Sequence, residues 1–362
     1  MKHVVFMILI SVMLFSCAAQ EVVKPAEPAV FYPPLPVEPR IQYLTSIMFE
    51  DDLEKKQSKF DTFLLGEKPV MKRIGRPVDI GTSKGKIYVS DRLYKKILLI
   101  DLVKKEFDYI KDTGVGTLSN PANMWMDEDG LKYVADMGRK QILVYDENDE
   151  FSKVYGDVDQ FKKPIDVAVY ENRIYVTDIE LNKVIVLDKD SGKTVQEIGG
   201  LGKEDGMFYK PSYLSVDIEG NLYVTDSFNF RVQVFDPNGK FLRNIGFHGD
   251  VSGAFSRPKG LAIDKYKHLY VADAAFENVQ IFDGDTGKLL LFFGGFGGAR
   301  GSMYLPSAVH IDYQNVEYFQ KYADKDFEIE YLIIIGNLVS EKRIGIYGFG
   351  KWVGPPLTGG GK

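Results

Sequence analysis

The chain has 362 residues, 45% of them hydrophobic and 13% aromatic, and its 45 Lys and Arg against 51 Asp and Glu leave a net charge of −6. That length and apolar content suffice for a large buried core, and a single cysteine excludes a disulfide framework. The acidic balance argues against nucleic acid as a partner and against polybasic adhesion to anionic lipid.

Residues 1–16 read as a secretory signal, with Lys2 as the charged region and 4–15 as a run dominated by apolar residues. Twelve residues fall short of the ~20 that a membrane-spanning helix needs. The Leu14-Phe15-Ser16-Cys17 stretch resembles a bacterial lipobox, which implies lipidation at Cys17 and a membrane attachment through that N-terminal lipid. An ordinary cleaved signal with an incidental cysteine is the alternative. Ala18, in place of Asp, resembles the outer-membrane sorting pattern, and so implies an outer membrane lipoprotein on the periplasmic or cell-surface side. Residues 17–39 follow as a proline-rich tether, with Pro25, Pro28, Pro33, Pro34, Pro36 and Pro39 favouring extended polyproline II. Its aromatic part, Phe31-Tyr32-Pro33-Pro34, is expected to lie against the domain.

From residue 40 the chain is expected to form one domain up to 350, with 351–362 as a flexible tail. Five copies of one sentence run through it: PVDIGTSKGKIYVSD at Pro77, PANMWMDEDGLKYVAD at Pro121, PIDVAVYENRIYVTD at Pro164, PSYLSVDIEGNLYVTD at Pro211 and PKGLAIDKYKHLYVAD at Pro258. An altered sixth, PSAVHID, opens at Pro306. The 43–48-residue spacing is the period of a four-stranded propeller blade. In the fourth copy the strands read 212–217, 221–226, 231–236 and 241–246, separated by hairpin signals such as Asp236-Pro237-Asn238-Gly239. The glycine-rich stretches before Pro211, Pro258 and Pro306 lack the spacing of phosphate-binding loops and recur once per copy, so they read as blade-to-blade crossings. The predicted fold is an all-β, six-bladed propeller of four-stranded antiparallel blades. The sixth copy lacks an outer strand, and residues 40–47 match the outer-strand pattern, so an N-terminal strand is expected to close the ring.

LYVTDSFNFRVQVFD (222–236), with its Gly-rich approach and RP or KP openings, resembles the NHL repeats that build six-bladed propellers. The layout of lipobox, proline tether and FYPPLPVEPRIQYL is similar to NHL-repeat lipoproteins of Gram-negative bacteria. The resemblance covers about 41–350 and speaks to fold far more than to chemistry.

Two segments exceed the repeat. Residues 49–65 carry Phe49, Leu53, Phe60 and Leu64 at helical spacing. Residues 313–327 insert an aromatic segment in which Tyr318, Phe319 and Tyr322 are candidates for a partner surface, with capping of the ring as the structural alternative.

The Asp that ends each second strand (Asp91, Asp136, Asp178, Asp226, Asp273) suggests a turn residue bonding nearby backbone N–H groups. Two residues after the prolines stand Asp79, Asn123, Asp166, Tyr213, Gly260 and Ala308. Innermost strands line a propeller's channel, so Asp79, Asn123, Asp166 and Tyr213, with His310, are the candidates for a ligand or ion at the channel mouth. The oxygen set suits Ca²⁺ if it suits any ion; structural hydrogen bonding is the alternative. Gluconolactonase-like propellers place Asn or Asp directly after comparable prolines, whereas Val78, Ala122, Ile165, Ser212, Lys259 and Ser307 stand here. The histidines His248, His268 and His310 are too scattered for a zinc site, and no CxxCH motif provides for haem on this chain. The sequence therefore points to a non-catalytic cell-envelope module binding a protein or glycan partner, without a required cofactor. A metal-dependent hydrolase or lyase working at the channel mouth is the competing expectation.

Overall fold

The computed structural model describes residues 28–53 and 72–357, apart from 112, 128, 158 and 340. Cys17, the signal segment and most of the tether lie outside the described residues, as does 54–65 of the segment expected to be helical. The described part of that segment holds a short 3₁₀ turn, Glu50–Leu53, with Leu53 buried.

Six antiparallel sheets stand around a central channel. Blades 1 to 5 span 77–109, 121–155, 164–199, 211–245 and 258–294, each with four strands in chain order from the channel outward. Their second strands are buried at every position, as in Leu222–Asp226, or at every position after the first, as in Arg173–Asp178. Aromatic and β-branched residues suit that setting because both sheet faces meet a neighbouring blade. Outer strands such as Phe241–Ile245 alternate partly exposed and exposed positions over most of their length instead. Six apolar clusters fill the six blade-to-blade interfaces, the cluster around Ile80, Ile87, Leu332 and Ile334 joining blade 6 to blade 1. In the crossing before blade 5, Gly246 takes φ +75°, and a Cβ there would lie 2.2 Å from the Phe255 ring, so only glycine fits the turn.

Blade 6 is assembled from both ends of the chain. Its order is Pro306–Asp312, Phe327–Asn337, Ile344–Trp352, then Ile41–Ile47 and finally Val30–Tyr32. Ile41 pairs with Phe349 and Ile47 with Ile344, so the N-terminal strand closes the ring as expected. The sheet nevertheless reaches further at both ends than the tether (17–39) and tail (351–362) boundaries allow. Val30–Tyr32 adds a fifth strand on Ile41–Tyr43, and Lys351 and Trp352 still pair with Glu328 and Phe327. The cause is side-chain anchoring: Phe31 packs on Phe327 and Trp352, and Tyr32 Oη donates to the Gly301 carbonyl at 3.2 Å.

The aspartate closing each second strand acts as a clamp that reaches across the blade. Asp178 Oδ2 accepts the N–H groups of Lys162 and Lys163 at 2.7 and 2.8 Å, while Oδ1 accepts those of Glu180 and Leu181, both at 2.9 Å. Asp91, Asp136 and Asp273 each hold four backbone N–H groups as well, divided three and one between the two oxygens in Asp91 and Asp136. Half of these bonds are the local turn bonds expected; the other half run back 15–17 residues to the approach of the proline. In blade 6 Asn337 occupies this place and accepts Tyr304 N–H at 3.0 Å. The clamp thereby fixes the residue before the proline in blades 1, 2, 3 and 5, and two of these residues, Arg76 and Lys163, sit at the channel mouth.

Candidate functional site

Each innermost strand carries a register shift within its first four residues, between Pro77 and Asp79 in blade 1 and between Pro211 and Leu214 in blade 4. A bulge re-aims side chains, and here the second residue after the proline turns inward. Tyr213 of blade 4 reaches across the channel and donates to the Val78 carbonyl of blade 1, the opposite blade, at 3.0 Å. Its ring divides the channel into two chambers.

The smaller chamber, about 130 Å³, is lined by Asp79, Asp166 and His310 together with Met124, Trp125 and Met126. Asp79 Oδ2 accepts Met124 N–H from blade 2 at 2.7 Å. Asp166 Oδ2 accepts Leu214 N–H from blade 4 at 2.8 Å, and its Oδ1 accepts its neighbour's Val167 N–H at 2.8 Å. Both carboxylates thus stitch adjacent innermost strands together. Between blades 5 and 6 the same seam closes by direct contact: a Cβ on Gly260 would lie 2.6 Å from the Ser307 carbonyl oxygen. Burial lifts the Asp79 carboxyl to about 7. It lifts Asp166 well above the ordinary carboxylate range, with the neighbouring Asp79 charge adding to the effect. Burial also holds the His310 imidazole below its usual value. His310 Nε2 lies 2.9 Å from Thr82 Oγ1 of blade 1, so the ring is a hydrogen-bonded lining residue.

Asn123 faces the other chamber. Its Nδ2 has no partner in hydrogen-bonding geometry, although the amide stands close enough to Asp166 to favour the charged carboxylate. The structure thus brings Asp79 and Asp166 together inside the channel, sets Asn123 on the far side and makes Tyr213 the partition. Among the described residues no three His, Cys, Asp or Glu side chains gather as a metal site. His248 packs on Phe230, and His268 Nδ1 lies 2.9 Å from Asp264 Oδ2, both remote from His310.

Of the partner-surface candidates, Phe319 is corrected. It is buried in the core cluster between blades 6 and 1, because the short helix Val316–Gln320 lays its apolar side on the sheet. Tyr318 and Tyr322 are partly buried on the same cluster, with Lys321 over both rings. The insertion caps the ring here.

The larger chamber is a funnel of about 410 Å³ open to solvent beyond Tyr213. Its floor is a ring of the residues that follow the six prolines: Val78, Ala122, Ile165, Ser212, Lys259 and Ser307. Above them stand residues that follow the clamp position, including Arg92, Met137 and Ile179, then residues that precede the prolines, including Arg76, Lys163 and Lys210. These upper rings are bonded to each other: Arg92 N–H donates to the Arg76 carbonyl at 3.0 Å and Ile179 N–H to that of Lys163 at 3.2 Å. Sequence reasoning missed this funnel, although the signal was present. The RP and KP openings served as a repeat signature, while the cations at those fixed repeat positions converge on one mouth.

Residues 216–291 match a protein-family model described as a 6-bladed beta-propeller. Among solved structures, a gluconolactonase of Xanthomonas campestris is similar at 15% identity over 90% of this chain and 99% of that one, with a TM-score of 0.55. An auxiliary nutrient binding protein of Bacteroides thetaiotaomicron is similar at 12% identity over 77% and 70%, TM-score 0.56. Virginiamycin B lyase of Staphylococcus aureus is similar at 18% identity over 75% and 84%, TM-score 0.51. At these identities the likeness is one of fold.

Proposed function

We propose that this protein is a non-catalytic binding module of the cell envelope, an NHL-type propeller that presents its open channel mouth to a protein or glycan partner. One observation carries the reading. The carboxylates of the channel are spent on hydrogen bonds between blades, while the funnel on the other side of Tyr213 carries Arg76, Arg92, Lys163, Lys210 and Lys259, whose side chains make no hydrogen bond or ion pair among the described residues. The nutrient binding protein that shares this fold supports a binding role by analogy; the lyase and the gluconolactonase, enzymes by their names, show that the fold hosts catalysis too. A metal-dependent hydrolase or lyase at Asp79, Asn123 and Asp166 is disfavoured, because two of the three are hydrogen-bonded to strand N–H groups and the third faces the opposite chamber. The lipobox-like segment ending at Cys17 supports attachment to the outer membrane through an N-terminal lipid.

The test is capture from native membranes with tagged full-length chain, beside a Lys163→Glu plus Lys210→Glu variant. A partner enriched by the first and lost with the second is the expected result. No enrichment at all, or a stoichiometric metal that disappears on Asp79→Ala plus Asp166→Ala, would refute the proposal. Metabolic labelling with a radioactive fatty acid should mark the protein and fail to mark Cys17→Ser.

A further inference from the structure

Five cations line the funnel: Arg76 and Arg92 from blade 1, Lys163 from blade 3, Lys210 from blade 4 and Lys259 from blade 5. No Asp or Glu lines it, in a chain whose net charge is −6. Among the described residues none of the five makes an ion pair. Lys259 is partly buried, and burial together with the neighbouring Arg257 and Arg92 charges makes its protonated form harder to keep. Like charges thus converge on one concavity with no counter-charge, and such a cleft focuses a positive field.

The arrangement is built rather than incidental. Asp91 and Asp178 hold the N–H groups of Arg76 and Lys163, and Asn182 Oδ1 holds that of Lys210 at 2.9 Å, so the cations project from fixed backbone. The floor between them is largely uncharged, made by Val78, Ala122, Ile165 and the Tyr213 ring.

We propose that the funnel is a binding site for a small organic polyanion, a molecule bearing two or more carboxylate or phosphate groups on an uncharged body. The cations stand on opposite blades, so separated anionic groups engage more of them than one group does. The volume lies in the range of small-molecule pockets. Arg and Lys are the side chains suited to carboxylate and phosphate. The acidic charge of the rest of the chain repels an extended polyanion such as nucleic acid. The inference rests on the binding-module reading and adds, at that module's mouth, a small anionic ligand to the protein or glycan partner.

Isothermal titration of the full-length chain in a neutral detergent tests it, with fructose 1,6-bisphosphate against fructose and citrate against glycerol. At low salt at least one of the two anions should bind and both neutral compounds should fail. The tighter anion shows whether phosphate or carboxylate is preferred. Binding should weaken roughly tenfold or more in Lys163→Gln plus Lys210→Gln, and again at ~0.3 M salt. Both lysines lie outside the core and are unpaired among the described residues, so the variant should keep the parent's melting curve. The site is overturned if neither anion binds, if the variant binds as tightly as the parent, or if a single-stranded oligonucleotide binds more tightly than either anion. A partner captured from membranes while no anion binds sinks this inference alone. An anion recovered chemically altered sinks the non-catalytic reading and leaves the site standing.

Discussion

The clamp in blade 3 makes a demanding prediction. Asp178 is fully buried and accepts four backbone N–H groups, two on each carboxylate oxygen, at 2.7–2.9 Å. Replacement by Ala abandons all four. At about 1 kcal/mol net for each bond, and more where an N–H stays buried without water, the cost is about 3–5 kcal/mol. Asp178→Asn discriminates more sharply. The amide oxygen serves one pair of donors, but its NH₂ then faces the other pair, setting donor against donor. The near-isosteric change should therefore cost about 2–4 kcal/mol, most of the alanine effect. For a domain of this size that lowers the melting temperature by about 3–6 °C. Urea unfolding followed by far-UV circular dichroism measures the difference, and hydrogen exchange at Lys162, Lys163, Glu180 and Leu181 localises it. If Asn at this position stays within ~0.5 kcal/mol of the parent, Asp178 is an ordinary turn residue using one oxygen, and the clamp argument fails.

Gly260→Val should destabilise by about 3 kcal/mol or more, because the new side chain meets backbone of blade 6 that has nowhere to go, whereas Gly298→Ala, with open space around its Cβ, should change thermal stability little. Asp79 supplies a pH signature: its folded carboxyl keeps its proton up to about pH 7, while the unfolded chain releases it near pH 4. This group therefore costs the fold nothing below pH ~4 and progressively more as pH rises toward 7, with a ceiling on the order of 4 kcal/mol. Asp79→Asn, which keeps an acceptor for Met124 N–H, should flatten that part of the stability profile relative to the parent; parallel profiles for the two proteins would rule the mechanism out. Deleting residues 28–47 strips Ile344–Trp352 of its neighbour and leaves blade 6 with an open edge. The expected outcome is association or rapid proteolysis, read by size-exclusion chromatography and limited digestion, and a stable monomer would contradict it.

Much of this architecture was legible in the residues themselves. A period set by the prolines, hairpin signals within each copy and a missing outer strand determine six blades and a closure by residues 40–47, because blade geometry depends on local alternation and turn chemistry that each copy carries within itself. Distance decided the rest. Val30–Tyr32 becomes a strand because Ile41–Ile47 offers it an open edge and Phe327 and Trp352 anchor Phe31, contacts some three hundred residues away in sequence. Phe319, read as a surface aromatic, is buried because the helix it sits on lands on the sheet. Asp79, Asn123, Asp166 and Tyr213 occupy equivalent repeat positions, yet the packed ring places them on two sides of a partition that a single Tyr213–Val78 hydrogen bond draws across the channel. Arg76, Lys163 and Lys210 were visible as the residues before three prolines. Closing the ring alone brings them to one mouth, since a repeat states what each blade contributes while convergence is a property of all six together.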